Sequence, residues 1–304
     1  MAGLKQIKTK IRSVQKSRQV TKAMEAVSAA KMRKAQQRAL AGRAYARAAS
    51  GILARVSGAR ELKGHMLTEA RSVKHALYIV ITSDKGLAGA LNSAVLRATH
   101  ADIEKLGLSP SQITVVAIGR KAADYFVARG YTVERSTHNT DTVTGKFINE
   151  LVAMAVQRFS SEGVDVVKIA YQNFFSTFEQ RPTLRTIFPL SLGELEAVVK
   201  DIVPARGVFA DTAGVERPAG YTIEPSEEEV LEATLPRLAS IFVYHALLES
   251  QASEHSARMV AMKSASDKAA ELTHTLTITF NKARQAAITR EVSEITGGME
   301  AMST

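Results

Sequence analysis

SEEEVLEATLPRLASIFVYHALLESQASEHSARMVAMKSASDKAAELTHTLTITFNKARQAAITREVSEIT, Ser226–Thr296, is the stretch that decides the fold. It contains no Gly and a single Pro, Pro236. Ser226 followed by Glu227, Glu228 and Glu229 reads as a helix start, a capping hydroxyl with acids where the helix dipole favours them. Leu248, Ala252, His255, Met259, Met262, Ser266, Ala269, Leu272, Leu276, Phe280, Ala283 and Ala287 then recur at spacings of three and four. A helix of that extent is on the order of 100 Å long. A small core cannot bury so long a stripe, so it needs a second long helix beside it.

Working outward, only the N-terminus supplies one. Leu4–Val56 reads as a single helix, with Leu4, Ile7, Ile11 and Val14 on one stripe that resumes at Val20, Met24 and Val27. It is expected to end in the Gly58–Gly64 region. Between the two lie short apolar runs alternating with helical periods. Strands are expected at His75–Thr82, Ile113–Ile118, Tyr131–Glu134, Val164–Tyr171 and Glu179–Phe188, and helices at Ser93–Leu106, Lys121–Arg129 and Thr144–Phe159. That alternation predicts an α/β fold. A small doubly wound, parallel-type sheet domain is inserted between N- and C-terminal long helices that form an antiparallel coiled coil. The division is residues 1–60 for the N-terminal coiled-coil helix, 70–195 for the α/β domain, 196–225 for a connector and 226–304 for the C-terminal coiled-coil helix. The seam is weak, with Ala, Ser, Thr, His and Met where Leu and Ile would hold a coil tightly. Ile278, Val260, Ile288, Met299 and Met302 fall on outer faces, which fits a sheath of other protein around the upper coil; an ordinary coil with a suboptimal seam stands beside it as the alternative.

Composition narrows the function. The 304 residues include no Cys, which removes disulfides, thiolate metal sites and Cys nucleophiles. No apolar run is long enough to cross a bilayer. MAGLKQIKTKIRSVQK lacks an apolar signal core and reads as mature protein. The net charge of +10 is concentrated in the N-terminal helix, from Lys5 to Arg60, opposed by little beyond Glu25. Such a stripe fits nucleic acid, an anionic membrane surface or an acidic protein surface. For nucleic acid, Tyr45 is the only aromatic in that helix and no reading motif is present. Ser83-Asp84-Lys85-Gly86-Leu87-Ala88-Gly89 sits where an α/β domain would bind an anion, after a strand and before a helix. It is neither GxxxxGK[ST] nor GxGxxG, so a structural strand-to-helix turn stands beside a phosphate-binding one. No catalytic set, cofactor motif or metal cluster is legible.

Three stretches resemble the gamma subunit of F-type (rotary) ATP synthases, of the bacterial type. They are KIRSVQKSRQVTKAMEAVSAAKMRKAQ at Lys10–Gln36, ITSDKGLAGALN at Ile81–Asn92, and Leu247–Leu272 with Asn281–Gly298, where Ile288, Thr289, Glu291, Glu294 and Gly298 carry the signature. The resemblance implies a central rotor shaft, non-catalytic itself, that couples proton-driven rotation of a membrane c-ring to ATP synthesis on alpha and beta subunits. It implies contacts with alpha, beta, epsilon and the c-ring, no nucleic acid, and a peripheral place on the cytoplasmic face of the bacterial inner membrane. Lys22, Met24, Arg33 and Lys34 match the coupling region of the first helix and Arg258 a catch position on the last. Thr289, Glu291 and Glu294 match the upper shaft, expected to pack against Met24. Arg290, Ala88, Ala90, Gly297 and Met299 depart from the family's usual residues, and the absence of Cys means that the chloroplast dithiol insert is missing.

Overall fold

The computed structural model describes residues 2–56, 65–161, 163–191 and 226–302. The expected end near Gly58–Gly64 and the whole of the 196–225 connector lie outside them. The elements are α1 (Ala2–Val56), β1 (Ala76–Ile81), α2 (Leu91–Leu106), β2 (Ile113–Ile118), α3 (Arg120–Val127), β3 (Thr132–Thr137), α4 (Gly145–Ser160), β4 (Val166–Phe174), β5 (Gln180–Phe188) and α5 (Glu227–Met302). The chain divides into two compact units, Ala30–Ala257 and Met1–Ala29 with Arg258–Thr304.

In the first unit one sheet runs in the order β3-β2-β1-β4-β5. β1 pairs parallel with β2 and with β4, and β2 pairs parallel with β3. β5 returns antiparallel on β4. Only residues 175–179 separate those two strands, too few for a crossover, so β5 adds an antiparallel edge to the parallel-type sheet that was expected. Alternate residues of each strand feed two cores. Tyr78, Val80, Val115 and Ala117 pack under Val95, Leu96 and Ile103 of α2 and Phe126 of α3. Leu77, Ile79, Ile81, Val116 and Ile118 pack under Leu151, Val152 and Phe159 of α4. That second face is completed by Leu231, Leu235, Leu238, Phe242 and Leu247 of α5. The foot of the long helix is therefore a layer of the α/β core, each large side chain contributing roughly 1.5–3 kcal/mol of burial. Its start is as expected: the Glu229 amide donates to Ser226 Oγ at 3.2 Å.

Two polar devices lock this unit. Tyr78, fully buried, donates to Asp102 at 2.7 Å, and Lys168 donates to the same carboxylate at 2.7 Å. Burial, then the Asp102 hydrogen bond, pushes the Tyr78 phenol far up. Just before the amino ends of β1 and β4, Asp165 accepts from the Lys74 and His75 amides at 2.7 and 2.8 Å. Partial burial pushes Asp165 up, but those two amides, with the charges of His75 and Arg71, outweigh it and hold the carboxyl below its ordinary 3.8. A depressed carboxyl contributes stability in full above its unfolded value, and the contribution is lost as pH falls through the folded one. Asp165→Ala is expected to lower Tm by about 2–4 °C at pH 7, a loss of about 1 kcal/mol. The gap between variant and parent should narrow as pH falls below the ordinary 3.8. Thermal melts from pH 7 downward read it, and equal Tm at pH 7 would contradict it.

In the second unit the shaded positions form heptads. On α1 they are Leu4, Ile7, Ile11, Val14, Thr21, Met24, Glu25, Ser28 and Ala29, while Val20 and Val27 are exposed. The stripe therefore does not resume at Val20 and Val27. It continues in phase through polar residues, because a 3.5-residue repeat counted from Leu4 lands on Thr21, Glu25 and Ser28. On α5 the series is Met259, Met262, Ser266, Ala269, Thr273, Leu276, Phe280, Ala283 and Ala287. Thr273 replaces the expected Leu272, which is exposed. Both segments leave the α/β unit, at Ala29 and Arg258, so they lie antiparallel and shade each other. Residues 288–298 are exposed all round. Of the expected outer apolar residues, Ile278, Ile288 and Met299 are exposed, Val260 is half-buried, and the Met302 side chain lies outside the description.

Candidate functional site

Doubly wound sheets hold ligands at the carboxyl ends of their strands, where the strand order reverses. Here that point lies between β1 and β4. The β1–α2 loop leaves it and closes on α3. The Arg120 amide donates to Asp84 Oδ1 at 2.9 Å, the Lys121 amide to the Ser83 carbonyl at 3.3 Å, and the Ala122 amide to Thr82 Oγ1 at 2.9 Å. Three successive residues thus cap the free amides at the start of α3. Asn92 folds the loop back, accepting from the Ser83 amide at 2.9 Å and donating to Ser83 Oγ at 2.7 Å. The sequence left this turn open between phosphate binding and structure; these contacts tie its first residues, Ser83 and Asp84, to α3. Gly119 is the price of that closeness. Its φ is +99°, and a Cβ there would stand 2.1 Å from the Thr82 carbonyl oxygen.

Asp84 also reaches sideways. Its Oδ2 accepts from the Asn139 amide at 3.1 Å, and Asn139 Nδ2 donates to the Thr82 carbonyl at 2.9 Å. This fixes the loop from His138 to Thr144, which grips both long helices. Asp141 pairs with Lys31 of α1 at 2.6 Å and with His255 of α5 at 3.4 Å, and its carbonyl accepts from Arg38. Gln251 donates to the Thr140 carbonyl at 2.7 Å. Partial burial pushes Asp141 up, but the Lys31 hydrogen bond and charge, with His255, hold its carboxyl below the usual range. On the other side of the switch point, Glu249 accepts from the Phe174 amide at 2.8 Å. Ser253 donates to the Gln172 carbonyl at 3.2 Å and Ser256 to the Thr177 carbonyl at 2.8 Å. Ser250, Gln251, Ser253 and Ser256 are all buried. The crevice where this fold would hold a ligand is filled by polar side chains of α5.

The three stretches singled out in the sequence converge here: Lys31 and the turn after it, Thr82–Asn92, and Gln251–Ser256. The individual residues expected to matter are scattered. Lys22, Arg33 and Lys34 are exposed, Met24 and Arg258 half-buried, and Thr289, Glu291 and Glu294 exposed, Thr289 donating to the Gln285 carbonyl at 3.0 Å. Of these, Lys34 alone borders the Asp141 cleft. Thr289, Glu291 and Glu294 lie past Ala287, the last shaded position of α5, whereas Met24 lies about 30 Å along α1 from Leu4. The expected packing between them is not formed. Sequence reasoning missed Gly119, Asn139 and Asp141. A Gly directly between a strand and a helix was a readable signal for the first, while the other two act through backbone contacts that no spacing reveals. Among the described residues no group of His, Asp or Glu is arranged to hold a metal ion, and no helix is long and apolar enough to cross a membrane.

A family model described as ATP synthase matches residues 3–302. Among solved structures, a chain of the mitochondrial ATP synthase of Euglena gracilis, OSCP/F1/c-ring in rotational state 3, superposes with a TM-score of 0.66 at 20% identity, covering 99% of this chain and 95% of that one. A chain of the Euglena gracilis rotor in rotational state 1 gives 0.61 at 19%, covering 94% and 99%. A chain from the central stalk and c-ring of the Tetrahymena thermophila mitochondrial enzyme gives 0.57 at 23%, covering 81% and 99%. At these identities the likeness establishes a common fold.

Proposed function

Since the chain belongs to the gamma-subunit family of the ATP synthase, matched over residues 3–302, we propose that it is the central rotor shaft of such a complex, coupling proton-driven rotation of a c-ring to ATP synthesis on alpha and beta subunits. The observation that carries this reading is the plugged switch point. A fold that offers a crevice at its switch point fills it with contacts that grip two long helices, which suits passing on torque. The seam suits a rotor as well. Small, half-shaded residues keep the rod slim, and exposed Ile288, Val292, Ile295 and Met299 recur at heptad spacing on α5 beyond the end of its pairing. Such a stripe calls for an apolar sleeve.

Within this reading the shaft is residues 1–60 and 226–304, the foot is 70–195 and the connector is 196–225. Lys22, Met24, Arg33, Lys34, Arg258, Thr289, Glu291 and Glu294 form contacts with neighbouring subunits. The chain catalyses nothing itself and needs no cofactor. Its partners are alpha, beta, epsilon and the c-ring, with membrane contact only through the complex, at the cytoplasmic face of a bacterial inner membrane. The solved structures it resembles are mitochondrial.

The test is to mix the chain with candidate alpha and beta subunits and to assay ATP hydrolysis. One copy bound to three alpha/beta pairs that hydrolyse ATP, with no hydrolysis by the chain alone, supports the shaft. A chain that ignores alpha and beta yet binds DNA with a steep salt slope makes the α1 cations a nucleic-acid surface instead.

A further inference from the structure

Beside the Asp141 clasp lies a cleft of about 260 Å³ lined by Lys31, Lys34, Ala35, Arg38, Asp141, Thr142, Gln251 and His255. Lys31, Lys34 and Arg38 stand at i, i+3 and i+7 on α1, so all three cations occupy one face of the helix, where like charges at that spacing repel. Against them the cleft offers a single carboxylate. The rest of α1, from Ala39 to Val56, adds three arginines and no acid. Asp141 holds Lys31 through its carboxylate and Arg38 through its carbonyl. An ammonium has three donors and a guanidinium five, so both keep N–H groups to spare while already fixed in place. Ala35, buried, supplies a floor with no bulk, and the His255 side chain, only 8% exposed, closes the wall.

We propose that this cleft is a binding site for a phosphate-class oxyanion. The lining carries three formal positive charges and one negative, a surplus of two. A phosphate group at neutral pH carries about −1.5 to −2, and its oxygens can take donors from Lys31, Lys34 and Arg38 together. A carboxylate, planar and singly charged, would leave the surplus half unanswered. The anion would bind on the same cations that hold the His138–Thr144 loop to α1. This site stands apart from the shaft reading: it concerns the chain alone and holds or fails whatever the chain assembles with.

The experiment is calorimetric titration of the full chain with inorganic phosphate at ionic strength matched by sodium chloride, with ATP and tripolyphosphate in parallel. Saturable phosphate binding at about 1 mM or tighter, weakened about three- to fivefold by Lys34→Gln and unchanged by Lys16→Gln elsewhere on α1, supports the site. Lys34 is exposed, so its replacement leaves the fold intact. Tighter binding of free phosphate than of ATP identifies the free anion as ligand, and the reverse order identifies a nucleotide's phosphates. No heat beyond that of chloride, or equal weakening by Lys34→Gln and Lys16→Gln, overturns the proposal.

Discussion

Gly119→Ala is expected to prevent the α/β unit from folding stably. The residue follows β2 and caps α3 at φ +99° and ψ 136°, a region that a side chain rarely enters. The obstacle is also steric. An added Cβ would lie 2.1 Å from the Thr82 carbonyl oxygen and 2.6 Å from its carbon. Both belong to backbone that cannot turn aside, because the Thr82 amide donates to the Ile118 carbonyl at 2.8 Å and the Gly119 amide to the Thr137 carbonyl at 2.8 Å. Relief requires parting β1 from β2, which takes Thr82, Ser83 and Asp84 off the α3 amides. A loss of about 4 kcal/mol or more follows, at the far end of what single substitutions do and a large share of a domain's ~5–15 kcal/mol. Far-UV circular dichroism during urea unfolding measures it. Gly86→Ala, where nothing lies within 4 Å of an added Cβ, is the matched control. A Gly119→Ala protein with the parent's midpoint would refute the argument.

The second large effect falls on coupling. Asp141→Lys turns the clasp from one acid among cations into a fourth cation beside Lys31, Lys34 and Arg38, and removes the partner of His255. Side-chain attraction between the His138–Thr144 loop and both long helices becomes repulsion, while the cores under Leu235 and Phe242 stay intact. In an assembled, membrane-bound complex, ATP hydrolysis should continue and protons pumped per ATP should fall roughly twofold or more, within the range that altering a coupling network produces. Asp141→Asn, which removes the charge without reversing it, should fall between the two. Pumping per ATP equal to the parent's in Asp141→Lys would rule the clasp out of torque transfer.

How much of this was legible depends on the kind of signal. HALYIVIT, ITVVAI and VDVVKIAY announce strands because β-branched runs buried on both faces have few other homes. The two long helices were legible from uninterrupted periodicity, and Ser226 from its hydroxyl and the acids behind it. The direction of β5 was carried by the length of the turn before it, a cue separate from the strand's own pattern. The seam was harder. Where Thr21, Glu25, Ser28 and Thr273 hold seam positions, hydrophobicity no longer marks the phase, so Val20, Val27 and Leu272 drew attention while standing in solvent. The clasp was least visible. Asp84, Asn139 and Gln251 act on main-chain groups brought from far along the sequence, and a carboxylate that caps an amide has the same letter as one on the surface.

The rod joins an early stretch of the sequence to a late one. Ser28 leaves the ribosome some 230 residues before Met259, the first position on the seam that will shade it. At about 5–20 residues per second that is roughly 12–46 s, long against the microseconds in which a helix forms. Throughout that interval α1 is an amphipathic helix without its mate, in the company of identical copies on neighbouring ribosomes. Thr21, Glu25 and Ser28 in its seam make self-pairing unrewarding, and a dense positive charge keeps the copies apart. The polarity that weakens the finished coil thus guards the nascent chain against pairing with its own kind before the right helix arrives.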